Sequence, residues 1–361
     1  MSTDTPTSTL SNCAHCQAPA HMKCSGCSSK LGDEALVFTY YCNRECQVAN
    51  LKSHKSSCKA HQTRKLLYRA GETLQEIFYQ FREVLFDKNI AKIENKDGKL
   101  LIYEAPYTTM TSSLDVLYDF PANLVQSTED KHAVLAYLTA DEALAWMKDI
   151  TEHFLKGIEN KIEETTFTPK SPQRTVQQVS PDGTYDNFQY PNSCFKITLR
   201  NGGGVYGLDL SGAQYGYYKP ITPWTQYLDD RVFKVGSSKP FGSKKTLLIQ
   251  LNGDLNISAF VGRIYQDCSK SIRYATEKWE ATTNIPILSF LKLPREEFAR
   301  LQKVWWELIA DALSSCRKRI QEQADSAREN PGSLPKVSLI PGKYENDMKM
   351  LKSFQDDMST I

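Results

Sequence analysis

The sequence predicts a small metal-stapled finger at the N-terminus, followed by a larger α+β body rich in helices. Three observations carry this. Seven of the ten cysteines fall between Cys13 and Cys58. From Gln62 onward apolar residues recur at helical spacing, and two later stretches repeat the pattern. Between these stretches, glycine-containing turns separate runs of β-branched and aromatic residues.

The finger's donors come in pairs: Cys13-x2-Cys16, Cys24-x2-Cys27, Cys42-x3-Cys46 and His54-x3-Cys58. Eight thiolate or imidazole donors fill two tetrahedral sites with none left over, which is zinc chemistry. A Cys-x2-Cys pair on a tight turn aims both sulfurs at one ion, and Gly26 relaxes the second such turn. The i, i+4 pairs would sit on helices, both side chains on one face. Filled coordination makes both zinc ions structural. So short a segment has too little core to fold unaided, so metal binding is its folding energy. Lys23, Arg44, Lys52, Lys55 and Lys59 lie close enough in sequence to moderate the thiolates' excess charge. His15, His21 and His61 are spare and expected to face solvent. The first twelve residues are polar and carry no apolar signal segment, which disfavours disulfides. Thiolates need a reducing compartment, so a cytoplasmic or nuclear location is expected.

The order of the pairs resembles the MYND-type zinc finger family, most closely in Tyr41-Cys42-Asn43-Arg44-Glu45-Cys46-Gln47 and His54-Lys55-Ser56-Ser57-Cys58. The resemblance implies an interleaved two-zinc cross-brace. Cys13, Cys16, Cys42 and Cys46 would hold one ion, and Cys24, Cys27, His54 and Cys58 the other; spacing alone leaves that pairing open. It also implies a surface for other proteins. The family usually carries a Trp five residues after the sixth ligand, beside a Gln, and in members that bind proline-rich peptides these two line the groove. Here the positions are Gln47 and Leu51, so the aromatic stacking platform is missing. The gap from Cys27 to Cys42 is long, and Leu36–Tyr41 reads as an extra strand.

Residues 1–12 are expected to be disordered and residues 13–58 to form the finger. Residues 62–160 form the helical part of the body. Its first helix carries Leu66, Leu67, Ala70, Leu74, Ile77, Phe78, Phe81 and Leu85 on one stripe. Asp97-Gly98 marks a hairpin near 90–103, and Thr139-Ala140-Asp141-Glu142 has capping-box spacing for a second helix running past Trp146 and Phe154. Residues 161–192, rich in Thr, Ser, Pro and Gln, read as a linker or insertion, with proline-directed phosphorylation motifs at Thr168-Pro169 and Ser171-Pro172.

Residues 193–330 open with a hairpin, Cys194–Arg200 then Val205–Leu210, joined by Asn201-Gly202-Gly203-Gly204. No helix start and no Lys-Ser/Thr follows those glycines, so they are a turn and not a phosphate cradle. The tract Asp209–Tyr218, with the later Pro223-Trp224 and Arg231, resembles one in fungal MYND-finger proteins that carry an uncharacterised C-terminal domain. Its Asp209 and Gln214 could form a small polar site or satisfy buried backbone groups at a bend; the second is preferred. Thr222-Pro223 would cap a short helix. Two long helices follow, one from about Leu255 to Glu280, the other from Pro294 with Phe298, Leu301, Val304, Trp305, Leu308, Ile309 and Ala312 inward. Residues 331–361 are a tail whose Val337–Pro341 faintly resembles proline-containing ligands of MYND fingers.

Lys and Arg total 44 against 42 Asp and Glu, a net charge of +2, which supplies no basic field for nucleic acid. No apolar run is long enough to span a bilayer, so no membrane partner is expected. Cys194, Cys268 and Cys316 read as buried small hydrophobes. The reading is a non-enzymatic adaptor or regulatory protein with a partner surface on the finger, and the sequence specifies no oligomeric state. The alternatives are uncharacterised enzymatic activity in the C-terminal body and a nucleic-acid-binding regulator. One enzymatic form would pair Cys194 with His132 or His153. Another, suggested by the family resemblance, is a lysine methyltransferase. Those enzymes place catalytic sequence ahead of the finger, where this chain has twelve residues.

Overall fold

The computed structural model describes residues 11–27, 38–106, 117–170, 172–251 and 257–329. The finger is built from two short antiparallel pairs. β1 (Ser11–Asn12) pairs with β2 (Pro19–Ala20), and β3 (Met22–Lys23) with β4 (Tyr40–Tyr41). Then come α1 (Arg44–Ala49) and α2 (Leu51–Val84). Ser11 and Asn12 were expected to be disordered. They are strand because the amide of Cys13 bonds to the carbonyl of Ala18, closing a hairpin around the first knuckle. Residues 1–10, and Leu36–Val37 of the expected extra strand, lie outside the described residues.

Expected from Gln62, α2 starts at Leu51 and so takes in His54 and Cys58. Its first turns are polar. From Leu66 on, the stripe Leu66, Leu67, Ala70, Leu74, Ile77, Phe78 and Phe81 is buried. A Cβ on Gly71 would stand 2.4 Å from Cγ1 of Ile221, so only glycine lets the helix backbone approach that residue so closely.

β5 (Ile90–Lys96) and β6 (Lys99–Glu104) form the expected hairpin. Its turn places Asp97 at φ 53° and Gly98 at φ 75°, the positive pair that a type I′ turn requires. α3 (Thr128–Ala136) is capped by Ser127, whose Oγ accepts from the Asp130 amide at 3.0 Å. The single helix expected from Thr139 is two, α4 (Ala140–Trp146) and α5 (Lys148–Leu155), broken at Met147. The Thr139 hydroxyl donates back to the Ala136 carbonyl and makes no cap.

The segment 161–192 is not a linker. It holds most of β7 (Glu159–Pro169) and all of β8 (Thr175–Val179). With β9 (Asn192–Leu199), β10 (Val205–Leu208), β11 (Ile221–Pro223) and, after α6 (Trp224–Arg231), β12 (Val232–Pro240), β7 makes an antiparallel five-stranded sheet ordered β11-β10-β9-β7-β12. β8 pairs in parallel with β6, giving a second sheet ordered β5-β6-β8. The polar residues of β7 are accommodated because each finds a partner. Buried Glu164 accepts from the amides of Gly242 (2.6 Å) and Lys244 (2.7 Å), Thr165 pairs with Ser238, and Thr166 with Ser193. Thr168 of the expected kinase tract is therefore a sheet residue opposite Lys234, and Ser171 lies outside the described residues.

The chain closes with α7 (Ser243–Leu251), α8 (Ile257–Thr283), α9 (Ile287–Lys292) and α10 (Arg295–Glu329), the two long ones close to their expected limits. The tail 331–361, with Val337–Pro341, lies outside the described residues. Trp305, Ile309 and Leu313 of α10 enter the core, while Val304 is 47% exposed. Arg69 of α2 donates to the carbonyls of Leu291 and Leu293, tying the helix to the end of α9. Arg82, wholly buried, donates to Asp87 (2.8 Å), Glu142 (3.2 Å) and the Tyr265 hydroxyl (2.9 Å), linking α2 to α4 and α8. Among the described residues no helix is long and apolar enough to cross a membrane.

Candidate metal centre

β4 lies between the two knuckles and orients both. The amide of Ala14 donates to the Tyr40 carbonyl, and that of Cys24 to the Thr39 carbonyl, each at 2.9 Å. Cys42 follows β4 directly. Asn43 then caps α1, its Oδ1 accepting from the Cys46 amide at 2.8 Å. The spacing placed Cys42 and Cys46 on one helix face. Only Cys46 is helical, and the cap turns Cys42 toward it. His54 and Cys58 do share a helix face, on the first two turns of α2.

These elements gather the donors into two clusters, Cys13, Cys16, Cys42 and Cys46 in one and Cys24, Cys27, His54 and Cys58 in the other, each with its ligand atoms within 4.8 Å of one another. The pairs interleave, as the family resemblance implied. Sulfurs around a tetrahedral zinc stand about 3.8 Å apart when each Zn–S bond is about 2.3 Å. Here Cys42 and Cys46 are separated by 3.3 Å, Cys16 and Cys42 by 3.6 Å, Cys16 and Cys46 by 3.7 Å, and Cys24 and Cys58 by 3.9 Å. Nε2 of His54 is 3.4 Å from the Cys27 sulfur. A disulfide would need about 2.05 Å, and all these cysteines are free.

The electrostatics agree. Desolvation and then the neighbouring Cys24 push the Cys58 thiol up to about 12, so a cation is what lets these crowded sulfurs ionise together. Burial lowers the His54 pKa and favours the neutral ring that a metal requires. With Nε2 facing the cluster, Nδ1 lies 3.3 Å from the Ser57 hydroxyl and 3.5 Å from that of Thr39, which orients the ring. Gln62 donates to the Cys58 sulfur at 3.4 Å, and a Cβ on Gly26 would stand 2.7 Å from that sulfur. Tyr41, wholly buried, fills the small core between the sites and accepts from Asn50. Lys23 spends its charge over the Phe38 ring, 4.4 Å from the centroid. Two structural zinc ions fit these donors, with no ligand position left for substrate.

A closed pair of interleaved zinc sites on knuckles and helices defines a cross-brace finger. Residues 13–58 match the family model described as the MYND finger, and this part of the chain is one. MYND fingers bind zinc and often mediate protein interactions. No curated protein and no solved structure matches the chain. The family match ends at residue 58, so the resemblance of the body to fungal proteins has no support from it.

Of the spare histidines, His15 and His21 are exposed as expected, but His61 is buried, because α2 has entered the body by that point. Gln47 is half-buried and Leu51 is 55% exposed. Sequence reasoning missed Val48, 62% exposed and one turn before Leu51, as well as the supporting Asn43 and Gln62. The last two were readable, since Asn three residues before Cys46 is a helix cap and Gln62 stands one turn after Cys58.

In the body, Asp209 and Gln214 serve the chain itself. Asp209 accepts from the Ser211 amide (3.1 Å), the Tyr227 hydroxyl (2.8 Å) and Asn192 (3.4 Å), with Arg231 at 3.7 Å. Gln214 accepts from the amide of Leu138, a residue held at φ 60°. Cys194, Cys268 and Cys316 are all buried, and the Cys194 thiol is pushed well up by burial and then by Asp209. His153 is bonded to Glu280 at 2.7 Å, and His132 stacks on Tyr79.

Proposed function

We propose that this is a non-catalytic adaptor or regulatory protein, resident in a reducing intracellular compartment, whose finger presents a partner-binding surface around Gln47, Val48 and Leu51. The observation that carries the reading is the exposure of two adjacent apolar side chains, Val48 (62%) and Leu51 (55%), on a surface held rigid by two closed zinc sites. Neither side chain contributes to the finger's core, which is made by Tyr41, Ala20 and the cysteines. With Leu in place of the aromatic platform, the partner is expected to be an apolar segment other than a stacked proline-rich peptide. The zinc coordination supports a stapled scaffold in preference to a reaction centre, and the engaged histidines support the same view of the body.

The test is a quantitative pull-down from cells with wild type, Val48→Asp/Leu51→Asp, and Cys42→Ala/Cys46→Ala. The aspartates change only exposed positions, so zinc content should stay at two ions per chain. Loss of a defined set of proteins in both variants supports the reading. Retention of every partner by the folded aspartate variant would place recognition elsewhere.

A further inference from the structure

The body carries a cleft of about 300 Å³ between α2, α3, α10 and the end of the glycine-rich tract. It lies about 20 Å along α2 from Cys58, so it is separate from the finger. Glu72, Gln75, Glu76 and Tyr79 line it from α2, at the i, i+3, i+4, i+7 positions of one helix face. Glu129 and His132 of α3 face them, with Tyr218 and Trp306 completing the wall.

Three features together point to a ligand. First, three carboxylates converge without a base to neutralise them. Glu72 and Glu76 are one turn apart, an arrangement that destabilises a helix through repulsion. The bases whose fields reach them are engaged elsewhere. Lys131 is bound to Glu83 at 2.7 Å, and Arg69 to the carbonyls of Leu291 and Leu293. Second, the wall is aromatic: the Tyr79 and His132 rings stack at 3.9 Å, and burial followed by Lys131 holds His132 below its ordinary pKa, so the ring stays neutral. Arg174 fixes Tyr218 by donating to its hydroxyl at 2.8 Å. Third, polar atoms of the lining residues have no hydrogen-bond partner. They are the Tyr79 hydroxyl, Nε2 of Gln75 and Nε1 of Trp306, and Tyr79 and Gln75 are only 4% and 8% exposed. A solvated acidic surface gives no reason for buried polar groups to line it unpaired.

We propose that this cleft binds a lysine side chain presented by a peptide segment, the ammonium held by Glu72, Glu76 and Glu129 against the aromatic wall, and the peptide carbonyls taken by Gln75 and Trp306. The chemistry selects each part. Carboxylates and ring faces attract an alkylammonium. The unpaired amide and indole are donors, and they require acceptors that a peptide carries and a simple polyamine lacks. The cleft is at the small end of ligand sites, about 300–1,000 Å³, which suits one side chain with its flanking backbone.

The zinc-loaded full chain is titrated calorimetrically at low salt with an acetylated, amidated alanine–lysine–alanine tripeptide, its norleucine counterpart, and spermidine. The lysine peptide is expected to bind about tenfold more tightly than the norleucine peptide, and Glu76→Gln or the more exposed Glu72→Gln to remove most of that difference. Lys131→Gln, outside the cleft, should leave a lysine preference in place. Equal binding of the two peptides, or no heat with either, overturns the proposal. Spermidine binding more tightly than the lysine peptide overturns the peptide assignment. Unchanged unfolding midpoints in the Gln variants keep a negative result from being a folding defect.

Discussion

Cys58 and Leu66 stand on the same unbroken helix, one facing a zinc cluster and the other the core of the body, eight residues and about 12 Å apart. The finger is therefore not a bead on a linker. Its last two ligands are the opening turns of the body's central helix, and its partner surface keeps a fixed direction relative to the body.

Zinc removal should unfold the finger and stop there. The body has its own core, running from Leu66 through Phe81 and onto α8 and α10, none of which depends on the metal. With a strong chelator, amide exchange is expected to rise sharply at residues 38–60 and to change little from Leu66 onward. Loss of protection throughout α2 would show that metal and core fold as one unit.

Gly26→Ala tests how tightly the second knuckle closes on Cys58. The new methyl would start 2.7 Å from that sulfur and from Nε2 of Gln62, and the sulfur cannot move without leaving its cluster. Zinc affinity at that site should fall by about 10–100-fold, measured by chelator competition, while the Cys13 cluster keeps its ion. Identical competition curves for both proteins would mean that the knuckle relaxes freely.

Arg82 holds a buried charge among Asp87, Glu142 and Tyr265. Arg82→Met leaves buried Asp87 without its guanidinium and is expected to cost about 3 kcal/mol. Glu142 is 30% exposed, so Glu142→Gln should cost less than about 1 kcal/mol. Urea midpoints at unchanged m-value give both numbers, and equal losses would refute the assignment of Arg82 as the hub.

Asp209 predicts a pH dependence. Burial raises its carboxyl above the ordinary range, and Arg231 with the Tyr227 hydroxyl offsets part of that. Between the unfolded value of about 3.9 and the folded value, the native state holds more protons than the unfolded one. Stability contributed by this group therefore falls as pH rises through that window and returns as pH falls. Asp209→Asn cannot titrate, so its urea midpoints from about pH 4 upward should follow a flatter line than wild type. Parallel lines would show that Asp209 keeps its unfolded pKa.

Sequence by itself determined the finger's chemistry, because zinc ligands are specified by residue type and short spacing: eight donors in four pairs left little freedom. It also determined the Asp97-Gly98 hairpin and the two long C-terminal helices, whose signals are equally local. The interleaving of the clusters came from a family resemblance, and only the folded chain shows why it happens: β4 is hydrogen-bonded to both knuckles. Tertiary structure alone decided the fate of β7. Glu163-Glu164-Thr165-Thr166 has no strand-like alternation of apolar residues, and it became an interior strand because the amides that satisfy Glu164 arrive from a turn about 80 residues later. The continuity of the finger with α2 was hidden for the same reason. Polar early turns and an apolar later face look like two segments until the second cluster and the core claim opposite ends of one helix. Patterns along a chain report what neighbours can do for one another, whereas a buried polar strand depends on partners that only the completed fold supplies.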